Sequence, residues 1–514
     1  MSKVSRNIVY NGLGQGLSVI LSFVAVRFVF RRLGGDALGL IYFSLAFSTA
    51  LSMAVQLGIC ESAVREVAAH QANRPEYIKS FIRTSSLLYW AGYVALAAVA
   101  CAAAPYLVQH WVKLDTLSVL TATKIMRILT LGALGALPGG LYRALLGGLQ
   151  HMGLTNLIDV AAKASQQAGI FMILLIHGNL FQVAYWIAGC MAVQVAVYWI
   201  VCTHFFSVRA LLLPGFSLDV VRQNFRFASG LMTISFCSWM LLESDKWVVS
   251  KLLPLTMLGI YTFARGAVNQ GALLTSAIGT AIFPHFSSLH GAGKMDEMKN
   301  AYHKIQELIC LGTIPLFAAV PFAAIPLFSR VFDLPSARLL LLPTTFLCIG
   351  SYMNGTLNPP YVVSLAMGRP DIIARQNLLA VFIVPPVSAI AIYWFGLNGA
   401  GFSWVLYHIY AYSYGLPRIC RECLGIAPRI WYGHVLRILG SALLIYGPAW
   451  VLARWIGGFS ILSMATAYSV GSIIYGAVVF RMMDDELRQS LLHSLQGVKL
   501  KLGVALAFPA LKGE

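Results

Sequence analysis

Residues 38–60 read LGLIYFSLAFSTALSMAVQLGIC, a long apolar run without a single charged side chain. A transmembrane helix needs about 20 predominantly apolar residues, because every backbone N–H and C=O group in the hydrocarbon must be satisfied within its own segment. Similar runs recur along the chain with short connections between them. Working outward from 38–60, we place the others near 13–30, 87–107, 126–148, 155–176, 181–206, 227–252, 258–283, 306–328, 339–360, 377–395, 398–416, 435–453 and 460–480.

The composition of the whole chain agrees with this pattern. Of the 514 residues, 58% are hydrophobic and only 11% are charged, which leaves too much apolar surface for a water-soluble globule. We therefore predict an all-α integral membrane protein with about 14 transmembrane helices. No loop is long enough to hold a soluble catalytic domain, and the sequence contains no P-loop, HExxH or GxSxG motif. These features indicate a transporter, not an enzyme, and imply no cofactor.

The distribution of Lys and Arg predicts the orientation. Most of them fall on segments that share a side with the N-terminus, and positive residues accumulate on the cytoplasmic side of short loops. We expect both termini in the cytoplasm. The net charge of +18 then needs no nucleic-acid partner, because topology and anionic lipid headgroups account for it. Cys420 and Cys423 form a lone CxxC without a second Cys or His pair nearby, so no metal site is predicted.

Two short echoes indicate an internal repeat. Leu38-Gly39-Leu40-Ile41-Tyr42 opens the second run, and Leu258-Gly259-Ile260-Tyr261 opens the eighth. A second echo pairs 147–153 with 364–368. Six runs separate the members of each pair, so the repeats have the same orientation, and transporters built from repeats place the substrate path between them. We predict two six-helix lobes, two appended helices and a cytoplasmic tail, at residues 1–206, 207–433, 434–480 and 481–514.

Charged side chains within the apolar runs are candidates for function, because each costs about 2.5–3.5 kcal/mol at a helix centre. One group lies toward the inner ends of the fourth and fifth runs. There, Asp159 and Lys163 are four residues apart on one helix face, and an adjacent fourth run would bring Arg143 into the same network.

A second group lies in the outer half of the seventh run, which holds Glu243, Asp245 and Lys246. Arg265 of the eighth run returns at a similar depth, so Asp245 with Arg265 is the pair we expect first. Such charges either neutralise one another and lock helices together or face water in a substrate path. The surplus of cations favours the second interpretation for the basic residues, because an unpaired buried cation is costly unless it meets water or an anion.

The first run adds a polar face. Asn11, Gln15, Ser18 and Ser22 recur at helical spacing and would line either a cavity or a polar helix contact. Arg27, near the outer end of the same run, points about 160° away from Asn11 on a straight helix, so the two cannot both face one cavity. Its long side chain can also reach the membrane surface.

Several fragments stand in a characteristic order over residues 7–380. They are Asn11, Gln15 and Arg27, Arg32-Leu33-Gly34, Leu38-Gly39-Leu40-Ile41-Tyr42, Leu57-Gly58-Ile59 with Arg65, Asp245 before Leu258-Gly259-Ile260-Tyr261, Phe283-Pro284-His285-Phe286-Ser287, and Gly368-Arg369-Pro370. In this order the chain resembles the bacterial polysaccharide-transporter proteins, the O-antigen-type lipid-linked oligosaccharide flippases of the MOP superfamily.

This resemblance implies a 6+6+2 helix plan with a central cationic cavity. The implied activity is movement of a polyprenyl-diphosphate-linked oligosaccharide from the cytoplasmic to the outer leaflet, for synthesis of surface polysaccharides such as O-antigen, lipopolysaccharide or exopolysaccharide. A glycan polymerase and chain-length machinery are candidate partners. The expected cavity residues are Arg143, Lys163, Lys246, Arg265, Arg27, Asn11 and Gln15. The expected ion-pair or coupling residues are Asp159, Glu243 and Asp245.

Two other classes are weighed against this one. A cation-coupled multidrug exporter of the same superfamily favours twelve spans and an acidic cavity, whereas this chain has two extra spans and an excess of cations. A membrane glycan polymerase or ligase normally carries a large outer loop for catalysis. No such loop is found in the sequence.

Overall fold

The computed structural model describes residues 3–56, 58–71, 73–213, 215–485 and 488–489. Within these ranges the chain is helical apart from loops, turns and one isolated β-bridge between Lys113 and Pro254. A π-helical turn, Cys420–Leu424, follows the fifteenth helix. The helices are α1 (Lys3–Leu33), α2 (Gly35–Gln56), α3 (Ile59–His70), α4 (Pro75–His110), α5 (Val119–Gly135), α6 (Leu137–Gly148), α7 (Met152–Leu175), α8 (Leu180–Cys202), α9 (Val208–Leu212), α10 (Leu218–Leu252), α11 (Leu255–Gly291), α12 (Met295–Val331), α13 (Leu334–Ala366), α14 (Pro370–Phe395), α15 (Leu397–Ile419), α16 (Pro428–Gly457) and α17 (Ile461–Met482).

The fold confirms the predicted all-α membrane protein. Eleven helical segments of the described chain are long and apolar enough to cross a bilayer, with α5 and α6 counting as one. Helices α1, α10 and α15 have 31, 35 and 23 residues and coincide with three further predicted spans, but they are more polar. The count of 14 spans therefore remains a prediction. Two of these three helices carry predicted site residues: α1 holds the polar face of the first run, and α10 holds the charged residues of the seventh run.

Two short helices occupy places where the sequence analysis expects loops. Helix α3 buries Ile59, Ala63 and Val67, which follow one another at four-residue spacing and pack toward α6. Gly58 precedes it with φ of 66°, a left-handed conformation that glycine adopts without steric cost. Helix α9 has only five residues, and the Ser207 hydroxyl caps it by accepting the N–H of Ala210.

The described residues divide into two compact units. Unit 1 comprises those within Met1–Ala267, Leu327–Phe346 and Asn377–Tyr407, and unit 2 those within Val268–Pro326, Leu347–Gln376 and His408–Glu514. Within unit 1, α1 packs against α7 and α2 against α5, and within unit 2, α16 packs along α17. The predicted lobe boundaries at 206 and 433 remain a prediction, and most of the predicted tail at 481–514 lies outside the described residues.

Proline inside a helix leaves the carbonyl four residues earlier without its N–H partner. In α4, Pro105 has this effect on the carbonyl of Cys101. Arg127 of α5 replaces the missing donor, with its Nε and Nη2 donating to the Cys101 carbonyl at 3.1 and 2.9 Å. The same arrangement recurs twice in unit 2, where Tyr475 donates to the carbonyl of Leu311 before Pro315 and Gln306 to that of Thr356 before Pro360. These side chains allow apolar helices to continue through proline.

Candidate functional site

Asp159 is the centre of a polar cluster built by three helices of unit 1. Helix α6 supplies Arg143, whose Nε donates to Asp159 Oδ2 at 2.9 Å. Helix α8 supplies Tyr198 and Gln194, which donate to Asp159 Oδ1 at 2.7 and 3.0 Å. The structure thus brings Arg143 and Asp159 together as the sequence predicts. Both carboxylate oxygens are engaged, so the position of Asp159 is well defined.

Lys163 lies one helical turn beyond Asp159 on α7, but it does not join the pair. Its side chain is exposed and forms no hydrogen bond or ion pair with the described residues. Arg143 also keeps 56% of its side chain exposed despite its bond to Asp159. The cluster therefore holds two cations and one carboxylate, and only Arg143 pairs with that carboxylate, so an accessible positive charge remains.

In the second predicted cluster, around Asp245, the charged side chains pair with one another. Arg265 of α11 forms an ion pair with Asp245 of α10, and their side chains are only 14% and 5% exposed. Tyr261 Oη donates to the same carboxylate oxygen at 2.5 Å, and Arg265 also donates to the carbonyl of Leu242. The Arg265 guanidinium lies 5.5 Å from the centre of the Trp404 ring. This buried arrangement agrees with the interpretation that the pair neutralises its own charges and locks the two helices together.

Glu243 and Lys246 form a separate pair on α10. Lys246 Nζ lies 2.9 and 2.7 Å from the two carboxylate oxygens of Glu243, three residues earlier on the same helix. With Asp245 and Arg265, the four charges sum to zero. The excess positive charge of the predicted cavity residues therefore comes from the Asp159 cluster and Arg27 and not from this cluster.

The predicted residues of the first run are only partly described. Arg27 is exposed near the end of α1 and has no hydrogen bond or ion pair among the described residues. The side chains of Asn11 and Gln15 lie outside the part of the chain whose side chains the structure describes. Phe28, next to Arg27, packs edge-on against Phe171 of α7 at 4.9 Å. Arg27 is thus held beside α7, the helix that also carries Lys163.

Asp36 is a buried carboxylate that the sequence analysis does not single out. It is 1% exposed at the start of α2, and its Oδ2 accepts the backbone N–H groups of Asp115, Thr116 and Leu117 at 2.6 to 3.2 Å. Its Oδ1 accepts the hydroxyl of Thr256 at 3.1 Å. One side chain therefore joins α2, the loop between α4 and α5, and the start of α11. Backbone donors from a loop give no sequence signal, which is why this site escapes notice.

The CxxC pair lies in the π-helical turn that follows α15. Cys420 and Cys423 are buried. Burial raises the pKa of the Cys420 thiol to about 12 and also raises the pKa of Cys423. Among the described residues there is no group of three His, Cys, Asp or Glu side chains placed to hold a metal ion.

Comparison with known proteins finds a matching family and a relative of this chain. A family model described as "Polysaccharide biosynthesis protein" matches residues 4–290. A protein of Shigella flexneri described as "Putative O-antigen transporter" is 22% identical over 406 residues, which cover 78% of this chain and 94% of that protein.

Two solved structures show the same fold. "Lipid II flippase MurJ, inward closed conformation" matches with a TM-score of 0.71 and 12% identity, over 92% of this chain and 99% of that one. An inward-facing multidrug resistance MATE family transporter of the MOP superfamily matches with a TM-score of 0.63 and 14% identity, over 79% and 95%. At these identities the matches establish the fold alone, which is the all-helical membrane fold that the sequence predicts. Because the family match covers more than half of its residues, this chain belongs to the polysaccharide biosynthesis protein family.

Proposed function

We propose that this protein is a flippase that moves a polyprenyl-diphosphate-linked oligosaccharide from the cytoplasmic to the outer leaflet of the bacterial inner membrane, for synthesis of a surface polysaccharide. The observation that carries the proposal is the family match over residues 4–290, supported by the Shigella flexneri relative along 94% of its length. The multi-pass helical fold provides the membrane setting that such a substrate needs.

The charge of the Asp159 cluster suits this cargo. A diphosphate cannot enter hydrocarbon unaided, because the transfer of an ion out of water is very costly without compensating charges and hydrogen bonds. Lys163 and Arg143 have accessible cationic groups beside a single carboxylate. Cations in a low-dielectric setting replace part of the hydration of a diphosphate and concentrate anionic substrate. A cationic drug, by contrast, would meet repulsion at this cluster, which weighs against the exporter alternative.

The proposed mechanism is alternating access between two six-helix lobes, at 1–206 and 207–433, with the polyprenyl tail remaining in the bilayer. Transporters with internal repeats bind substrate near the membrane midplane between the repeats. Both termini would lie in the cytoplasm, and a glycan polymerase would take the product on the outer side. Asp159, Glu243 and Asp245 are the proposed coupling or ion-pair residues. Arg143, Lys163, Lys246, Arg265, Arg27, Asn11 and Gln15 are the proposed cavity residues.

The proposal is tested in proteoliposomes that contain the purified full-length protein. A fluorescent polyprenyl-diphosphate oligosaccharide in the membrane is compared with a cationic dye in the lumen. Protein-dependent movement of the glycolipid between leaflets, without dye movement, is the expected result. Movement of the dye alone would reject the flippase and establish an exporter.

A further inference from the structure

The π-helical turn after α15 changes which charges face each other. In a continuous α-helix, Arg418 and Glu422 would be four residues apart and neighbours on one face, where an ion pair forms readily. Residues Cys420–Leu424 are instead π-helical, with wider hydrogen-bond spacing, and the N–H of Ile426 closes the turn on the Cys420 carbonyl at 2.9 Å. Within this turn, Glu422 forms an ion pair with Arg369 and none with Arg418.

The carboxylate of Glu422 pairs with a different arginine, Arg369. Glu422 Oε2 accepts a hydrogen bond from Arg369 Nη2 at 2.6 Å. Arg369 also donates to both oxygens of Asp371, at 2.9 and 3.3 Å. The guanidinium of Arg369 therefore pairs with two carboxylates, and its charge is fully neutralised.

Arg418 is left without an acidic partner. No carboxylate of the described residues lies within ion-pair distance of it, although its side chain is half-buried. Its guanidinium carbon lies 4.2 Å from the centre of the Tyr414 ring, and its Nη1 donates to Tyr414 Oη at 2.9 Å. Tyr414 in turn stacks on Tyr410, with ring centres 5.7 Å apart and planes 11° apart. The three side chains form a column along the last turns of α15.

This column has the properties of an anion site. The stack and the single hydrogen bond fix the plane of the guanidinium, and most of its five N–H donors remain available for a ligand. The hydroxyl of Tyr410 adds a buried oxygen that has no hydrogen-bond partner among the described residues. A cation held in place before its ligand arrives binds tightly, because less conformational freedom is lost on binding. Phosphate oxygens match the planar fork of an arginine and accept two parallel hydrogen bonds from it.

We propose that Arg418, held by Tyr414 and Tyr410, binds a lipid-borne phosphate, and that during transport this phosphate is the diphosphate of the glycolipid. The second part rests on the proposed function. The diphosphate group is common to all cargoes of this class, so this site would recognise the carrier and not the sugar. An anionic phospholipid headgroup offers the same chemistry, and the experiment separates the two sources.

Binding is measured on the purified full-length protein in phosphatidylcholine nanodiscs, with two probes, polyprenyl diphosphate without sugar and phosphatidylglycerol. We expect Arg418→Gln to weaken binding of polyprenyl diphosphate about ten- to hundredfold, the size of one charge-assisted hydrogen bond. Arg418→Lys retains the charge but loses the planar fork, so an intermediate loss is expected. Arg421→Gln is the matched control, because Arg421 is exposed, has no partner among the described residues and removes the same charge.

The outcomes are distinct. Equal affinity in wild type and Arg418→Gln, or equal losses in the Arg418 and Arg421 variants, overturns the site. A loss for phosphatidylglycerol alone retains the site and rejects the diphosphate as its ligand. If Arg418→Gln does not purify as a monodisperse protein, Arg418→Lys and Tyr414→Phe decide: weaker binding at unchanged melting temperature supports the site, and unchanged binding rejects it. Wild-type protein that binds diphosphate but moves no glycolipid refutes the transport proposal and not the site.

Discussion

Gly39 of α2 and Gly259 of α11 meet backbone to backbone. A Cβ added at Gly259 would lie 2.8 Å from the nitrogen and 3.1 Å from the Cα of Gly39, and a Cβ added at Gly39 would lie 2.0 Å from the carbonyl oxygen of Leu255. These glycines occupy matching positions in the two sequence echoes that predict the repeat. The helix starts that carry the echoes are therefore in direct contact, and Asp36 and Thr256 join them by a hydrogen bond of 3.1 Å beside the glycines.

Gly39→Ala should disturb this contact. The new methyl group would overlap backbone atoms of α11, which cannot move aside as a flexible side chain can, so a loss of about 1–3 kcal/mol in unfolding free energy is expected. Thermal unfolding in detergent measures it. Gly189→Ala is the control, because no atom lies within 4 Å of a Cβ placed there. Equal melting temperatures for the two variants would show that the helix starts separate without cost.

Much of this fold is readable from the sequence because the bilayer restricts the choices. A run such as 38–60 can satisfy its backbone only as a helix, and α2 spans most of it. Helix α3 is different, since its twelve residues include Glu61, Arg65 and Glu66 and hold no membrane-length apolar run. Its burial depends on packing against α6, a tertiary contact that periodicity alone does not reveal.

Arg127→Met should destabilise the protein through Pro105. The substitution leaves the Cys101 carbonyl of the membrane-length helix α4 without a donor, and a backbone acceptor that faces hydrocarbon without a partner costs about 1–3 kcal/mol. In a Pro105→Ala background, the N–H of residue 105 restores the helical hydrogen bond, so the same Arg127→Met change should cost much less. A double-mutant cycle on unfolding free energy measures the coupling. Additive effects would contradict the role assigned to Arg127.

Asp245→Asn should be strongly destabilising. It leaves Arg265 as a buried cation without its counter-charge, a situation that typically costs 3–5 kcal/mol. The double variant Asp245→Asn with Arg265→Gln removes both charges and should recover part of that loss. Glu243→Gln is a milder comparison, because Glu243 is more exposed than Asp245. If the double variant is no more stable than Asp245→Asn alone, the pair is not the lock described above.

Some features of the candidate site can likewise be predicted from the sequence, and others cannot. The Arg143–Asp159 and Asp245–Arg265 pairs follow from charge, depth and helical spacing, and both are present. The sequence does not show which cation lacks an ion-pair partner. Arg265 is paired with Asp245, whereas Lys163 is unpaired although it lies only four residues after Asp159. The π-helical turn that separates Arg418 from Glu422 is also hidden, since its sequence CRECL continues the helical pattern of charges.

Lys163→Ala should impair transport without affecting stability. Lys163 contacts no polar group among the described residues, so removing its side chain should shift the melting temperature by no more than about 1 °C. It does remove an accessible cation next to a carboxylate that Arg143 already neutralises, so the apparent KM for a diphosphate-linked glycolipid should rise severalfold, and Lys163→Arg should retain most activity. Lys124→Ala, which removes another exposed lysine without a described partner, should leave transport unchanged. Equal transport by the Lys163 and Lys124 variants would mean that the free positive charge of the Asp159 cluster does not meet the substrate.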